Sequence, residues 1–415
     1  MQHSSNPILN SAIFVPDVEA HVWEDGRIYL YGSFDIEGKM QYCSNEYHVY
    51  SSDNMIDWVD HGVSFCIDDA EWAKGSKALY APDCAYRDGK YYLYYCVPDG
   101  RCGVAVSDCP YGPFKDVGPI EHVTMIDPAV FIDDDGQAYL YWGQFDGVRV
   151  AKLKDSMVEI DLETITQPLS VAKHEFHEGS SVKKINGKYY FTYTDTHRHG
   201  NKATSIGYAV SDNPMGDFVY QGVIVDNFGC DPQTWNNHGS IECFNGQWYV
   251  FYHRSTHGSK YSRHVCVEPI TIDENGKISE VRMTTSGKEI SLPANDVMPA
   301  LRACELSGNA RIEGDKSSCH GFAVAQIKPN DTVIFRYLHF DEENTLSITL
   351  QSDQKVRAEL YIDGSYYACL STNAEAAYTT NNIEIAPISG KHTVEFKFFG
   401  DFSEAKFSEF VFKKR

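Results

Sequence analysis

Residues 88–96 read Asp88-Gly-Lys-Tyr-Tyr-Leu-Tyr-Tyr-Cys96, an Asp-Gly turn signal followed by an aromatic-rich run. The same form returns four times: Asp25-Gly26 before RIYLYGS, Asp135-Gly136 before QAYLYWG, Asn186-Gly187 before KYYFTYT and Asn245-Gly246 before QWYVFYH. Asp-Gly and Asn-Gly favour a type I′ hairpin turn, because both central residues must adopt positive φ. The Tyr, Phe, Trp, Val and Ile that follow suit a half-buried pleated surface. The turn glycines lie 63, 47, 51 and 59 residues apart. A hairpin unit recurring every ~50 residues is the mark of a β-propeller with one four-stranded blade per repeat. Five repeats between Phe14 and Thr285 predict five blades.

A second echo supports that count. Ala105-Val-Ser-Asp-x-Pro-x-Gly-x-Phe114 recurs as Ala209-Val-Ser-Asp-x-Pro-x-Gly-x-Phe218, and Val49 to Trp58 is a looser copy. Each reads as the outer half of a blade, a strand followed by a turn. After Gly287 the pattern changes. Ser291-Leu-Pro-Ala-Asn-Asp296 reads as a linker, and TVIFRYLHF, TLSITLQ, VRAELYIDG, HTVEFKFFG and SEFVFKK read as short strands of a β-sandwich. The expectation is an all-β chain with a propeller over 1–288 and a sandwich over 298–415, and no amphipathic helix.

Composition excludes several function classes. The 415 residues carry 36 Lys and Arg against 58 Asp and Glu, a formal net charge of −22. Such a chain repels phosphate backbones and anionic lipid, so neither nucleic acid nor a membrane is an expected partner. No apolar stretch approaches the ~18 residues that span a bilayer. Met1 to Val15 lacks a basic segment followed by an apolar one, so a cytoplasmic location is expected. The twelve cysteines form no CxxC pair and read as reduced, buried, small apolar residues. A monomer or small homo-oligomer is expected.

Upstream of each repeat's turn a polar residue enters the inner strand. Asp17, Asp127 and Glu178 each precede the turn glycine by nine residues, His238 by eight and Asp83 by six. Inner strands of a propeller line its axial channel, so their starts bring these groups toward one end of it. Carboxylates sharing a pocket push their pKa values apart, which separates an acid from a base. The competing reading is that each side chain caps a local turn.

Pro16-Asp17, Tyr80-Ala-Pro-Asp83, Ile126-Asp-Pro128, Glu178-Gly179 and Asn237-His-Gly-Ser240 occur in order and in phase with the repeat. In these elements the chain resembles glycoside hydrolase family 43, five-bladed propellers that include β-xylosidases, α-L-arabinofuranosidases and arabinanases. The resemblance implies Asp17 as the general base that activates water, Glu178 as the acid that protonates the leaving oxygen, and Asp127 as the residue that orients the acid. It implies inversion at the anomeric carbon and an oligosaccharide substrate. It places Arg263, Tyr80, Asp83 and His238 against the sugar. It requires no cofactor for the chemistry and leaves room for Ca2+ in the channel, met by His238 through water. Calcium prefers oxygen ligands, which makes a lone His a weak one.

Two departures stand out. The acid motif, commonly Glu-Gly-Pro, is Glu178-Gly179-Ser180 here. Asp17 lies in Pro-Asp-Val rather than Asp-Pro, which makes Glu19 the fallback base, on the same side of a strand two residues on. The C-terminal part resembles a family 6 carbohydrate-binding module, a jelly-roll sandwich, in Gly390-Lys-His-Thr-Val-Glu-Phe and Phe407-Ser-Glu-Phe-Val-Phe; tryptophan is absent after Trp248. The expected function is removal of terminal α-L-arabinofuranosyl or β-D-xylosyl residues from plant-polysaccharide oligosaccharides. The alternatives are action on β-galactosides, a non-catalytic glycan-binding propeller, and a scaffold for protein partners.

Overall fold

The computed structural model of the chain describes residues 4–232, 234–372 and 375–415. Blade one is β1 (Glu19–Val22), β2 (Ile28–Tyr31), β3 (Glu46–Ser52) and β4 (Val59–Cys66). Blade two is β5 (Tyr80–Arg87), β6 (Lys90–Cys96), β7 (Arg101–Ser107) and β8 (Lys115–Thr124). Blade three is β9 (Ala129–Ile132), β10 (Ala138–Gly143), β11 (Val148–Lys152) and β12 (Thr166–Leu169). Blade four is β13 (Phe176–Ile185), β14 (Lys188–Asp195), β15 (Ser205–Ser211) and β16 (Val219–Asp226). Blade five is β17 (Ile241–Phe244), β18 (Gln247–Thr256) and β19 (Ser259–Ile270). Each is an antiparallel meander; blade five has three strands among the described residues.

The inner strands touch in the cyclic order β1, β5, β9, β13, β17 and back to β1. At the closure Ser240 Oγ accepts from Ala20 N–H (3.0 Å) and donates to Val18 O (2.9 Å). Propeller blades are covered on both faces, which explains the aromatic runs. In β6, Leu93 and Tyr95 pack into the layer shared with blade one, and Tyr94 and Cys96 into the layer shared with blade three. Successive side chains of a strand point to opposite faces, so a strand buried on both sides must be apolar at every position. The same division recurs in β10 and β14, where Tyr139, Tyr141, Phe191 and Tyr193 share one layer.

The turns follow the sequence in three blades. Both residues of Asp88-Gly89 (φ 52° and 77°), Asn186-Gly187 (51° and 79°) and Asn245-Gly246 (51° and 81°) are left-handed, as a type I′ turn requires. At Asp25-Gly26 and Asp135-Gly136 only the glycine is left-handed. There the aspartate accepts instead: Arg27 N–H donates to Asp25 Oδ1 (3.1 Å) and Gln137 N–H to Asp135 Oδ1 (2.9 Å). The Ala105 and Ala209 motifs link third to fourth strands, β7 to β8 and β15 to β16, with Phe114 and Phe218 buried beneath the turn.

The C-terminal part is also all-β. Its strands are β20 (Leu292–Pro293), β21 (Met298–Pro299), β22 (Glu305–Leu306), β23 (Arg311–Gly314), β24 (Phe322–Ile327), β25 (Thr332–Ser352), β26 (Arg357–Ile362), β27 (Ser365–Ser371), β28 (Glu375–Phe399) and β29 (Ala405–Lys413). They form one hydrogen-bonded network in the order β23-β24-β29-β25-β28-β26-β27, with the short β20 and β22 on β25 and β21 on β29. Phe335, Phe396, Phe398, Phe407, Phe410 and Phe412 lie in its core, joined by Phe14 from the N-terminal segment. TVIFRYLHF and TLSITLQ, read as two strands, are one. Asp341-Glu-Glu-Asn344 resembles a turn, yet pairing with β28 continues through register shifts there, with Glu342 left-handed at φ 64°. That is a bulge, which bends a strand without ending it. Leu306 N–H to Gly229 O and His257 N–H to Ile312 O, both 2.7 Å, join this part to the propeller. All twelve cysteines are free, and seven are buried.

Candidate active site

The inner strands start at one end of the channel, and there a cavity of about 380 Å3 opens. Asp17, Asp127, Glu178, His238, Arg263 and Tyr80 all line it. Asp17 and Asp127 occupy equivalent places ahead of β1 and β9 with the same left-handed backbone, φ 58° in each. Non-glycine residues adopt that conformation at a cost, and Asp tolerates it best with Asn. Glu178 lies inside β13, where two register shifts flank it and Gly179 takes φ +70°. This irregularity turns the carboxyl out of the ladder and toward the channel.

Asp17 Oδ1 accepts from Arg263 Nη1 at 2.8 Å, and His253 Nδ1 lies 3.4 Å away. Burial alone would raise this carboxyl; the Arg263 guanidinium, with His253 and His238 beside it, outweighs burial and holds Asp17 well below the usual carboxylate range. Asp127 Oδ2 accepts from Gly179 N–H at 2.9 Å. Burial, followed by the charges of Glu178 and Asp17, pushes the Asp127 carboxyl well above its ordinary value. Glu178 receives the Gln144 amide at Oε2 (2.7 Å) and the Asn236 amide at Oε1 (3.3 Å). His238 Nδ1 stands 3.9 Å from both Asp17 Oδ1 and Asp127 Oδ2, and burial pushes its imidazole toward the neutral form.

Arg263 is 2% exposed, buried in the wall of the cavity. Asp35 grips it from behind: Nε donates to Oδ2 (2.8 Å) and Nη2 to Oδ1 (2.9 Å). Two parallel bonds fix a guanidinium plane as one cannot. Tyr42 lies under the guanidinium, 4.9 Å from ring centroid to Cζ. At the rim, Phe145 and Trp235 are 65% and 42% exposed, and each meets the His177 ring edge to face. Exposed aromatic faces at a polar pocket are what a sugar ring stacks on.

Two expectations are corrected. Asp83 does not line the cavity. It sits farther along the channel, accepting from Val130 N–H (2.7 Å) and paired with His21 Nε2 (2.7 Å). Its offset of six residues places it inside β5 rather than before it. Glu19, the fallback base, is in the same deeper cluster and accepts from Ser181 Oγ at 3.1 Å. The left-handed bend at Asp17 breaks the strand alternation that put the two on one side. Sequence reasoning also missed Asp35, Gln144, Asn236 and His253. His253 closes the fifth QWYVFYH run, where it reads as one more strand residue.

Gly179 carries a further consequence. A Cβ there would meet the His238 ring at 2.9 Å and Thr194 Oγ1 at 3.0 Å. Gly179→Ala is therefore expected to displace His238 and Glu178 together. The expected result is a fall in kcat of about tenfold or more with a loss of about 1–2 kcal/mol in stability, read from kinetics and thermal melting. An unchanged kcat would show that the glycine does not position the site.

The family model for glycosyl hydrolases family 43 matches residues 4–278. The xylosidase/arabinosidase 43A of Humicola insolens is 37% identical over 328 residues, 64% of this chain and 96% of that one. Among solved structures, a β-xylosidase/α-arabinofuranosidase from a compost microbial metagenome, in complex with xylotriose, is 33% identical. It covers 68% of this chain and 98% of its own, with a TM-score of 0.60. An arabinoxylan arabinofuranohydrolase from Bacillus subtilis, in complex with cellotetraose, is 25% identical and covers 100% of this chain and 98% of its own, with a TM-score of 0.59. Two thirds of the chain match the family, and three acidic side chains meet in the cavity at the channel end. The chain belongs to glycosyl hydrolases family 43 and is a hydrolase of O-glycosyl bonds.

Proposed function

We propose that this enzyme removes terminal α-L-arabinofuranosyl or β-D-xylosyl residues from plant-polysaccharide oligosaccharides, with inversion at the anomeric carbon. The observation that carries the reading is geometric: Asp17, Asp127 and Glu178 meet in one cavity, with Arg263 Nη1 2.8 Å from Asp17 Oδ1. Asp17 is held ionised by Arg263, whereas Asp127 is pushed toward its protonated form beside Glu178. Asp17 is the general base: it takes a proton from a water, whose oxygen bonds to the anomeric carbon. Glu178 is the general acid and gives its proton to the leaving oxygen. Asp127, whose own carboxyl is pushed up by burial and by the charges of Glu178 and Asp17, orients the acid by accepting from Gly179 N–H beside it. Arg263, Tyr80 and His238 face the sugar in the innermost subsite. Relatives named as acting on xylosides and arabinosides support the pentose. The β-strands of residues 298–415 support a second, sandwich-type domain of carbohydrate-binding-module type, with the propeller over 1–288.

The chemistry needs no cofactor. The deeper cluster of Glu19, His21 and Asp83 brings three ligand atoms within 4.8 Å of one another, and Glu19 Oε1 is buried without a partner. That favours a cation there. Calcium takes six to eight oxygens, however, and Lys183 already places its ammonium 2.6 Å from Glu242 and 3.2 Å from Ala20 O in the same cluster. The residues fit Lys183 as resident cation better than Ca2+, and no step is routed through a metal.

The test is a panel of nitrophenyl glycosides: α-L-arabinofuranoside, β-D-xyloside, β-D-galactoside and α-L-arabinopyranoside. Turnover of one or both of the first two is expected, with the opposite anomer released first in a proton NMR time course. Turnover of the galactoside alone would overturn the pentose assignment, and silence across the panel would favour a glycan-binding propeller.

A further inference from the structure

The cavity wall carries two lysine or arginine side chains, Arg263 and Lys260. Arg263 is tied to Asp17 and Asp35. Lys260 Nζ has no carboxylate or hydrogen-bond partner among the described residues, and rings surround it instead. It lies 5.4 Å from the ring centroid of Tyr261, 5.6 Å from that of Tyr42 and 6.0 Å from that of Trp235. Tyr42 also meets the Arg263 guanidinium, so one ring adjoins both cations. Tyr42 and Tyr261 meet edge to face, with centroids 4.8 Å apart. The backbone is fixed as well. His257 and Gly258 are both left-handed (φ 63° and 55°) and close the β18–β19 hairpin between the paired Thr256 and Ser259, one residue ahead of Lys260.

Holding a lysine side chain in place costs conformational entropy, which the three rings offset by cation–π attraction. The ammonium keeps three donors and has no counter-charge from the chain. A neutral sugar needs no such charge, since amides and hydroxyls bind its hydroxyls as well. An anionic sugar does need it. Asp127 and Glu178 line the same cavity with no lysine or arginine of their own, and they repel a carboxylate that approaches. Among oligosaccharides, a ring carboxylate belongs to the uronic acids. Lys260 offers that carboxylate a point charge beside Trp235, whose 42% exposure leaves a face on which the same sugar ring stacks.

We propose that Lys260 is a specificity-determining residue that binds the carboxylate of a uronate in the oligosaccharide, so that the substrates of this enzyme include acidic, uronate-bearing chains. The proposal rests on the oligosaccharide substrate given above and adds its charge. Its binding test stands without turnover.

Calorimetric titration tests this on the full chain carrying whichever of Asp17→Asn and Glu178→Gln folds, so that no ligand is consumed. The ligands are xylotriose, xylotriose bearing one glucuronate, and the methyl ester of that acid, which keeps its shape and removes its charge. At low ionic strength the acid is expected to bind about tenfold more tightly than the ester, the size of a hydrogen bond to a charged group. In about 1 M NaCl the two are expected to converge. Lys260→Met keeps the apolar stem and is expected to abolish the preference, with Lys260→Gln in its place if thermal melting shows that the first does not fold. Lys260→Arg is expected to retain the preference. Equal binding of acid and ester, a preference that survives Lys260→Met, or exclusion of both while xylotriose binds would each overturn the proposal. The nitrophenyl panel separates the two failures. A silent panel with the acid still preferred removes the pentosidase reading alone, and turnover on the panel with no such preference removes the uronate site alone.

Discussion

Asp17→Asn is expected to remove activity on natural and activated glycosides alike, by about 10²–10⁴-fold in kcat. The substitution preserves shape and leaves an oxygen to accept from Arg263, but it removes the charge that takes the proton from water. Water activation precedes any question of leaving group, so a better leaving group gives no relief. Azide, a nucleophile that needs no base, is expected to restore turnover and to yield a glycosyl azide of inverted configuration. The variant leaves Arg263 with Asp35 as its one carboxylate partner, so the guanidinium stays paired by two hydrogen bonds. Thermal melting checks that the fold survives, since breaking a buried pair costs about 3–5 kcal/mol when a charge is left alone. A folded Asp17→Asn enzyme that retains wild-type turnover would remove Asp17 from the role of base.

Glu178→Gln is expected to divide substrates by their leaving groups. Natural glycosides and unactivated aryl glycosides depart as poor leaving groups and need the proton, so kcat should fall about 10²–10⁴-fold. A dinitrophenyl glycoside departs as a stable phenolate and should lose less than about tenfold. The pH profile carries the same information. The acid must be protonated, so it sets the alkaline limb of kcat/KM, and that limb should vanish in the variant. Glutamine keeps one oxygen, which accepts from Gln144 or from Asn236 but not both, and the other amide then faces its NH2, so thermal melting accompanies the kinetics. A loss of equal size on every substrate, with the alkaline limb intact, would assign the proton to another group.

Much of this was legible in the chain because a repeat shows both period and phase. Asp17, Asp127 and Glu178 share one offset from their turn glycines, and the cavity receives all three. Asp83 departs from that offset and departs from the cavity too. The turn chemistry was legible for Asp88-Gly89, Asn186-Gly187 and Asn245-Gly246, and misread for Asp25 and Asp135. An aspartate serves equally as a left-handed turn residue or as a side-chain acceptor, and the dipeptide alone does not separate them.

What the sequence by itself determined is whatever repeats locally. The five hairpins, the apolar faces of their strands and the polar residues at the strand starts all follow from short-range turn chemistry and side-chain period. What only the tertiary structure decided is which distant groups meet. Asp35 lies 228 positions from the Arg263 it grips, and Asp17 lies 246 from that same side chain. Neither separation leaves a trace in composition or spacing. The physical reason is ring closure: when β17 meets β1, residues from both ends of the propeller enter one low-dielectric cavity. There burial and neighbouring carboxylates push Asp127 up, while the Arg263 guanidinium outweighs burial and holds Asp17 low.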